Sequence, residues 1–206
     1  MTSPRGERYL SRVIKKIRSG RPKLCKPRSV TETLRPLLAG GDRRSIARSA
    51  RVRALILASP ERIPELAALT RDADWLVSMR AIDLLEKLAH EHPERVQPHR
   101  RLFIGRLANS DKWEIRLQIV RSLPLLNWSR GEFKRVLAIL QRDVNHPQKF
   151  VRAWALDSLA FFAQRDPKLL PGVLRDLVEF EGSGSKALAT RAKHIRSRLA
   201  TGASVS

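Results

Sequence analysis

The stretch KFVRAWALDSL, residues 149 to 159, returns in altered form along the chain, and that recurrence constrains the fold more than any other feature. In KWEIRLQIVRSL, residues 112 to 123, Ile115, Arg116, Ile119, Val120 and Leu123 fall on Val151, Arg152, Ala155, Leu156 and Leu159 at a constant offset of 36 residues. Val77, Ala81, Ile82 and Leu85 repeat the apolar spacing, ARVRAL at 50 to 55 matches VRAWAL at 151 to 156, and Leu188 with Ala192 forms a weaker last copy. Apolar residues at i, i+4, i+5 and i+8 lie on one stripe of a helix.

A second signature precedes these stripes: SPERIPELAAL at 59, HPERVQPHRRL at 92 and DPKLLPGVLRDL at 166. Each starts a helix, because proline in the first turn lacks only an N–H that would have no partner anyway, and Ser59 or Asp166 stands at the cap position. The two signatures alternate as five hairpins. First helices are expected near 31–39, 60–70, 93–108, 130–143 and 167–180, and second helices near 43–58, 75–89, 112–126, 149–164 and 186–199. A unit of about 37 residues cannot bury its own apolar face, so neighbours must stack. The expected fold is all-α, a right-handed α-solenoid spanning 31–200, with a basic arm at 1–30 and a tail at 201–206.

A proline-started helix, then Asp or Asn at the turn, then V-R-x-x-A-L in the second helix resembles the HEAT repeat. That resemblance implies that the second helices line a concave, ligand-facing side. It does not by itself imply a ligand, because such arrays bind many kinds of molecule.

Charge narrows the choice of partner. Forty-one Lys and Arg against 20 acids give a formal charge of +21, which predicts attraction to a polyanion. Residues 1–30 carry ten cations against Glu7, and residues 185–206 carry five and no acid, whereas 72–108 hold six of each sign. In the arm, ERYLSRVIKKIRSG reads as a basic amphipathic helix of about 7–18 ended by Gly20, with Lys15, Lys16, Arg18 and Arg21 able to follow phosphates. The single Cys25 excludes an internal disulfide. The N-terminus lacks the apolar run of a signal peptide, and no stretch approaches the ~20 apolar residues of a membrane span. A cytoplasmic protein with no membrane partner is expected.

Within the array, alignment of the second helices puts Arg51, Arg116 and Arg152 in one row and Arg53, Arg80, Gln118, Trp154 and Arg191 in another. On a concave face these rows form a basic groove that can track phosphates. The competing reading is a structural ladder in which each Arg pairs with a turn Asp, as the spacing of Asp111 and Arg116 allows. Arg44, Arg48 and Arg51 lie at i, i+4 and i+7 if the helix starts at 43, making one cationic ridge. Trp154 stands where other copies carry Arg or Gln, as a base-stacking residue would, or else packs on the next repeat. Trp75 and Trp113 read as packing residues.

Enzymatic motifs are nearly absent. His90, His92 and His99 lack carboxylates at ligand spacing, so no metal is expected. GSGSK at 182–186 lacks the frame of a phosphate-binding loop. No catalytic residue and no cofactor is assigned. The segment from RDADWLVSMRAIDLLEKLAHEHPERV through NSDKWEIRLQIVRSL is similar in layout to the bacterial HEAT-like alkylpurine DNA glycosylases. That family's catalytic Asp, four residues after a Trp, would fall on Met79, its functional Arg on Arg116 and a later Trp on Asp157. Asp83 lies one turn further along. The expectation is therefore a non-catalytic protein that binds DNA or structured RNA, with a scaffold for an acidic protein as the alternative and a glycosylase as the second.

Overall fold

The proline-started segments and the apolar stripes become alternating layers of one helical stack. The computed structural model describes residues 32–203, and among these every regular element is helical. The helices are α1 Leu34–Leu38, α2 Ser49–Ala58, α3 Ile63–Leu69, α4 Trp75–Glu91 and α5 Pro93–Val96. They continue as α6 Trp113–Ser122, α7 Arg130–Asp143, α8 Lys149–Ala163, α9 Leu170–Gly182 and α10 Lys186–Ala203. The arm at 1–30, with Lys15, Lys16, Arg18 and Arg21, lies outside the described residues.

Helices α2, α4, α6, α8 and α10 pack each on the next, forming one layer. Behind them α1, α3, α7 and α9 pair with α2, α4, α8 and α10, and the 3-10 turn Arg106–Asn109 backs α6. The stripe residues explain the stacking. Val77, Ala81, Ile82 and Leu85, then Ile115, Ile119, Val120 and Leu123, then Val151, Ala155, Leu156 and Leu159 are all buried. A large aliphatic side chain taken from water contributes about 1.5–3 kcal/mol. Only a neighbouring repeat can cover these faces, so each hairpin is held by the next.

Capping sets where helices begin. The Asp74 carboxylate accepts from the Leu76 N–H at 2.9 Å to open α4. Ser129 and Glu132 form a reciprocal capping box at the start of α7. Pro60, Pro93 and Pro167 each stand at the first position of the turn that opens a hairpin.

The last helix runs to Ala203, past the expected end near 199, and three other boundaries differ from expectation for a local reason. The second helix of the first hairpin begins at Ser49, not 43. Gly40 and Gly41 adopt φ +79° and +71°, Ala47 adopts φ +48°, and the Asp42 carboxylate accepts from the N–H groups of Arg44 and Ser45, so the chain turns through 40–48. The expected helix 93–108 is broken into α5 and the 3-10 turns Gln97–Leu102 and Arg106–Asn109, with Pro98 in the first of these turns and Gly105 between the two. Pro124 likewise converts the end of the expected 112–126 helix into the 3-10 turn Leu123–Leu125.

Candidate binding face and edge

The arginines of the two aligned rows are mostly engaged inside the protein. Arg80 is 2% exposed. Its Nε donates to the Ser45 carbonyl at 2.9 Å, its Nη1 to those of Leu38 and Gly40 at 2.6 and 2.7 Å, and its Nη2 to that of Asp42 at 2.8 Å. Burying a guanidinium is tolerable only when its donors are matched, and the end of α1 together with the 40–48 turn supplies the acceptors. Arg80 is therefore a strut between the first two hairpins, and the expectation that it faces a ligand is corrected. Gly41 permits the arrangement: a Cβ there would meet Ser45 Cβ at 2.9 Å.

Arg116 pairs with Asp143, whose side chain is fully buried, and not with Asp111, which is 83% exposed. Arg152 donates to Glu179 at 2.7 Å and to the Val144 carbonyl at 2.9 Å, with its guanidinium 5.0 Å from the Phe180 ring centroid. Arg53 meets Glu91 at 2.5 Å, and Arg191 meets Asp157 at 2.8 Å. Arg116 thus pairs as the ladder reading has it, though with Asp143 at the end of α7 and not with Asp111, whereas the acid that Arg152 meets is Glu179 within α9.

Trp154 is half-buried and receives a guanidinium from each neighbouring helix: Arg191 of α10 at 4.0 Å and Arg121 of α6 at 5.0 Å from its centroid. Cations over an aromatic face are attracted by the ring quadrupole. The indole is packed on the next repeat in this way, so it is not an open stacking surface.

The expected Arg44, Arg48 and Arg51 ridge is also rearranged. Arg44 lies in the turn, Arg48 is the residue before α2, and only Arg51 is helical, although all three are exposed.

A different set of cations, exposed except for the half-buried Lys112, collects where the second helices begin. Arg44 and Arg48 precede α2, Arg71 precedes α4, Arg106 and Lys112 precede α6, Lys149 opens α8 and Lys186 opens α10. Because consecutive second helices run the same way, these starts share one edge. Its acids are occupied. Asp42 caps the 40–48 turn, Asp74 caps α4, Asp111 stands 3.2 Å from Lys112, and Asp72 meets Arg35 at 2.8 Å. The Arg35 hydrogen bond, then the Asp74 N–H, hold the Asp72 carboxyl below its ordinary range.

Aromatic rings alternate with cations along this edge. Lys112 Nζ stands 5.7 Å from the Trp75 centroid. Trp113 and Phe150 stack with centroids 6.2 Å apart and planes at 27°. Lys149 Nζ lies 5.5 Å from the Phe150 centroid, and Phe150 is 46% exposed. Neither α6 nor α8 has a side chain capping its first turn. Phe150 was not among the sequence candidates. Lys149 stands at the register of Trp75 and Trp113, and Phe150 follows it where the other copies carry Leu76 and Glu114.

On the adjoining face, a groove of about 250 Å³ runs between the 40–48 turn, α4 and α6. Ile46, Met79, Trp113 and Leu117 line it with Asp83 and Lys87. Ile46 is 63% exposed. Asp83 meets Lys87 at 2.7 Å and accepts from Gln118 at 3.2 Å. Among the described residues, no three His, Cys, Asp or Glu side chains stand close enough to hold a metal ion, and His90 instead meets Glu86 at 3.0 Å. No helix among them is long and apolar enough to cross a membrane.

No protein-family profile matches the chain, and no curated protein matches it. Solved structures do. A designed armadillo repeat protein for modular peptide recognition aligns with TM-score 0.58 at 17% identity over 80% of this chain and 79% of the other. A second, solved in complex with the peptide (KR)4, aligns with TM-score 0.59 at 16% identity over 81% and 80%. An engineered protein aligns with TM-score 0.59 at 19% identity over 81% and 79%. At such identities the likeness concerns the fold, and the fold is an α-solenoid of stacked helical hairpins.

Proposed function

We propose that this solenoid binds nucleic acid without catalysis, through the cationic edge at the starts of its second helices together with the basic arm of residues 1–30. The observation that carries the reading is the edge itself: five successive second helices each bring at least one exposed Lys or Arg to it, while Asp72 is paired with Arg35 and, of the edge cations, Lys112 is paired with Asp111. Packed helices repeat at about 8–10 Å, a spacing along which a phosphate backbone can be followed. The proposed contacts are with phosphates, so the binding follows charge and shape and carries little base-sequence preference. Lys15, Lys16, Arg18 and Arg21 are the proposed phosphate contacts of the arm itself.

The site proposed from sequence is thereby moved. Arg53, Arg116, Arg152 and Arg191 already have carboxylate partners and contribute less net positive potential than cations without them. The test is titration of the full chain into labelled DNA of about 25 base pairs and a matched RNA hairpin across a salt series. Binding whose logarithm falls linearly with log salt, by ~0.9 per phosphate neutralised on DNA, supports the reading. Absence of binding to either at physiological salt overturns it.

A protein-binding scaffold is the second reading, favoured by the groove between α4 and α6 with exposed Ile46 at its rim. The two designed armadillo proteins bear on it only through the fold they share with this chain. The glycosylase reading rests on Asp83, whose carboxylate is tied to Lys87 and Gln118. Release of an alkylated base that is lost on Asp83→Asn is the result that would favour it.

A further inference from the structure

The aromatic part of the edge adds something that phosphate contact does not need. Phe150 is 46% exposed, yet it is braced from one side by Trp113 in an offset stack 6.2 Å between centroids. Such pairs are favourable at 4.5–7 Å, so the ring is held in one orientation without being covered. Lys149 stands beside it at 5.5 Å, and one helix further along Lys112 stands 5.7 Å from Trp75.

Resting on the nucleic-acid reading above, we infer that the Trp113–Phe150 pair is a stacking platform for unpaired bases, and that the edge takes single-stranded nucleic acid in preference to duplex. A duplex hides the faces of its bases within its own stack, and offers Phe150 only sugar and phosphate. A single strand offers base faces with phosphates between them, matching alternate rings and cations at one edge. The chain reads no base identity here, because every base has a π-face. Two interhelical steps of about 10 Å each separate Trp75 from Phe150, enough for a few nucleotides, at the short end of single-strand sites. Lys149 and Lys112 are the phosphate partners on either side, leaving their rings when the strand binds.

The test uses the full chain with two labelled probes, an oligo-dT of about 12 nucleotides and a mixed-sequence duplex of about 25 base pairs, in the same low-salt buffer. Phe150→Ala is expected to weaken oligo-dT binding by roughly 5- to 150-fold, the range seen when a stacking aromatic is truncated, with duplex affinity changed less than about 2-fold. Phe150→Tyr retains the platform and is expected to bind oligo-dT as the wild type does. Lys149→Gln is expected to weaken both probes alike. If Phe150→Ala leaves oligo-dT affinity unchanged, or weakens both probes equally, the platform is wrong while phosphate binding stands. If the wild type binds neither probe, the nucleic-acid reading falls and the platform with it.

Discussion

Arg116 of α6 and Asp143 at the end of α7 form an ion pair in which the carboxylate is entirely withdrawn from water. The Arg142 guanidinium also reaches Asp143, at 2.7 Å, so the buried charge is held from two sides. This pair locks the turn of the fourth hairpin onto the third.

Asp143→Asn leaves two guanidiniums facing a neutral amide at the base of that turn. Removing one partner of a buried pair costs about 3–5 kcal/mol, and the expected loss here is near the lower figure because Arg116 retains some contact with solvent. Urea unfolding followed by circular dichroism measures it. A midpoint indistinguishable from wild type would show that the pair does not hold the turn.

Arg80→Met keeps the aliphatic stem and removes the donors that the carbonyls of Leu38, Gly40, Asp42 and Ser45 receive. Only the Leu38 contact is fully buried, and the Asp42 carbonyl keeps the Ser45 N–H; an orphaned buried acceptor costs about 1–3 kcal/mol, so a loss of about 2 kcal/mol is expected. The effect is local. Amide exchange should quicken across residues 40–48 and in α2, with α8 to α10 unaffected, and uniform quickening along the whole chain would argue against it.

Glu132 gives a pH dependence. The Ser129 N–H, then Arg100, then Arg101 and the Ser129 hydroxyl, hold its carboxyl down to about 2 from an ordinary 4.5. A carboxyl depressed on folding contributes stability that is complete above its unfolded value and is lost as pH falls through the folded one. Glu132→Gln is therefore expected to melt below wild type at pH 6, with the gap closing between about 4.5 and about 2. A gap independent of pH would mean that the charge of the capping box is immaterial.

The recurring stripes made the hairpins legible, since a buried position in one copy is buried in the next: Ile115 and Val151 are 3% and 0% exposed, as the 36-residue offset requires. Ion-pair partners were not legible. Asp111 is five residues from Arg116 and Asp143 is 27 residues away, yet helix stacking brings the latter close. Arg80 shares a register with Arg53, but it lies opposite the Gly40–Gly41 turn and is drawn inward. Phe150 escaped because comparison of copies weighs shared positions, and its counterparts are Glu114 and Leu76. An exposed ring that belongs to one copy alone is visible only once neighbouring helix ends are placed together.

The central claim is that the edge, and not the face, meets the nucleic acid. One measurement separates the two: the salt dependence of duplex DNA binding for wild type, an edge variant (Arg71→Gln, Arg106→Gln, Lys149→Gln) and a face variant (Arg53→Gln, Arg191→Gln). The log–log slope is expected to shrink by roughly 2 to 3 in the edge variant, at ~0.9 for each phosphate that is no longer neutralised, and to stay near wild type in the face variant. A slope that is unchanged in the edge variant and reduced in the face variant would contradict it.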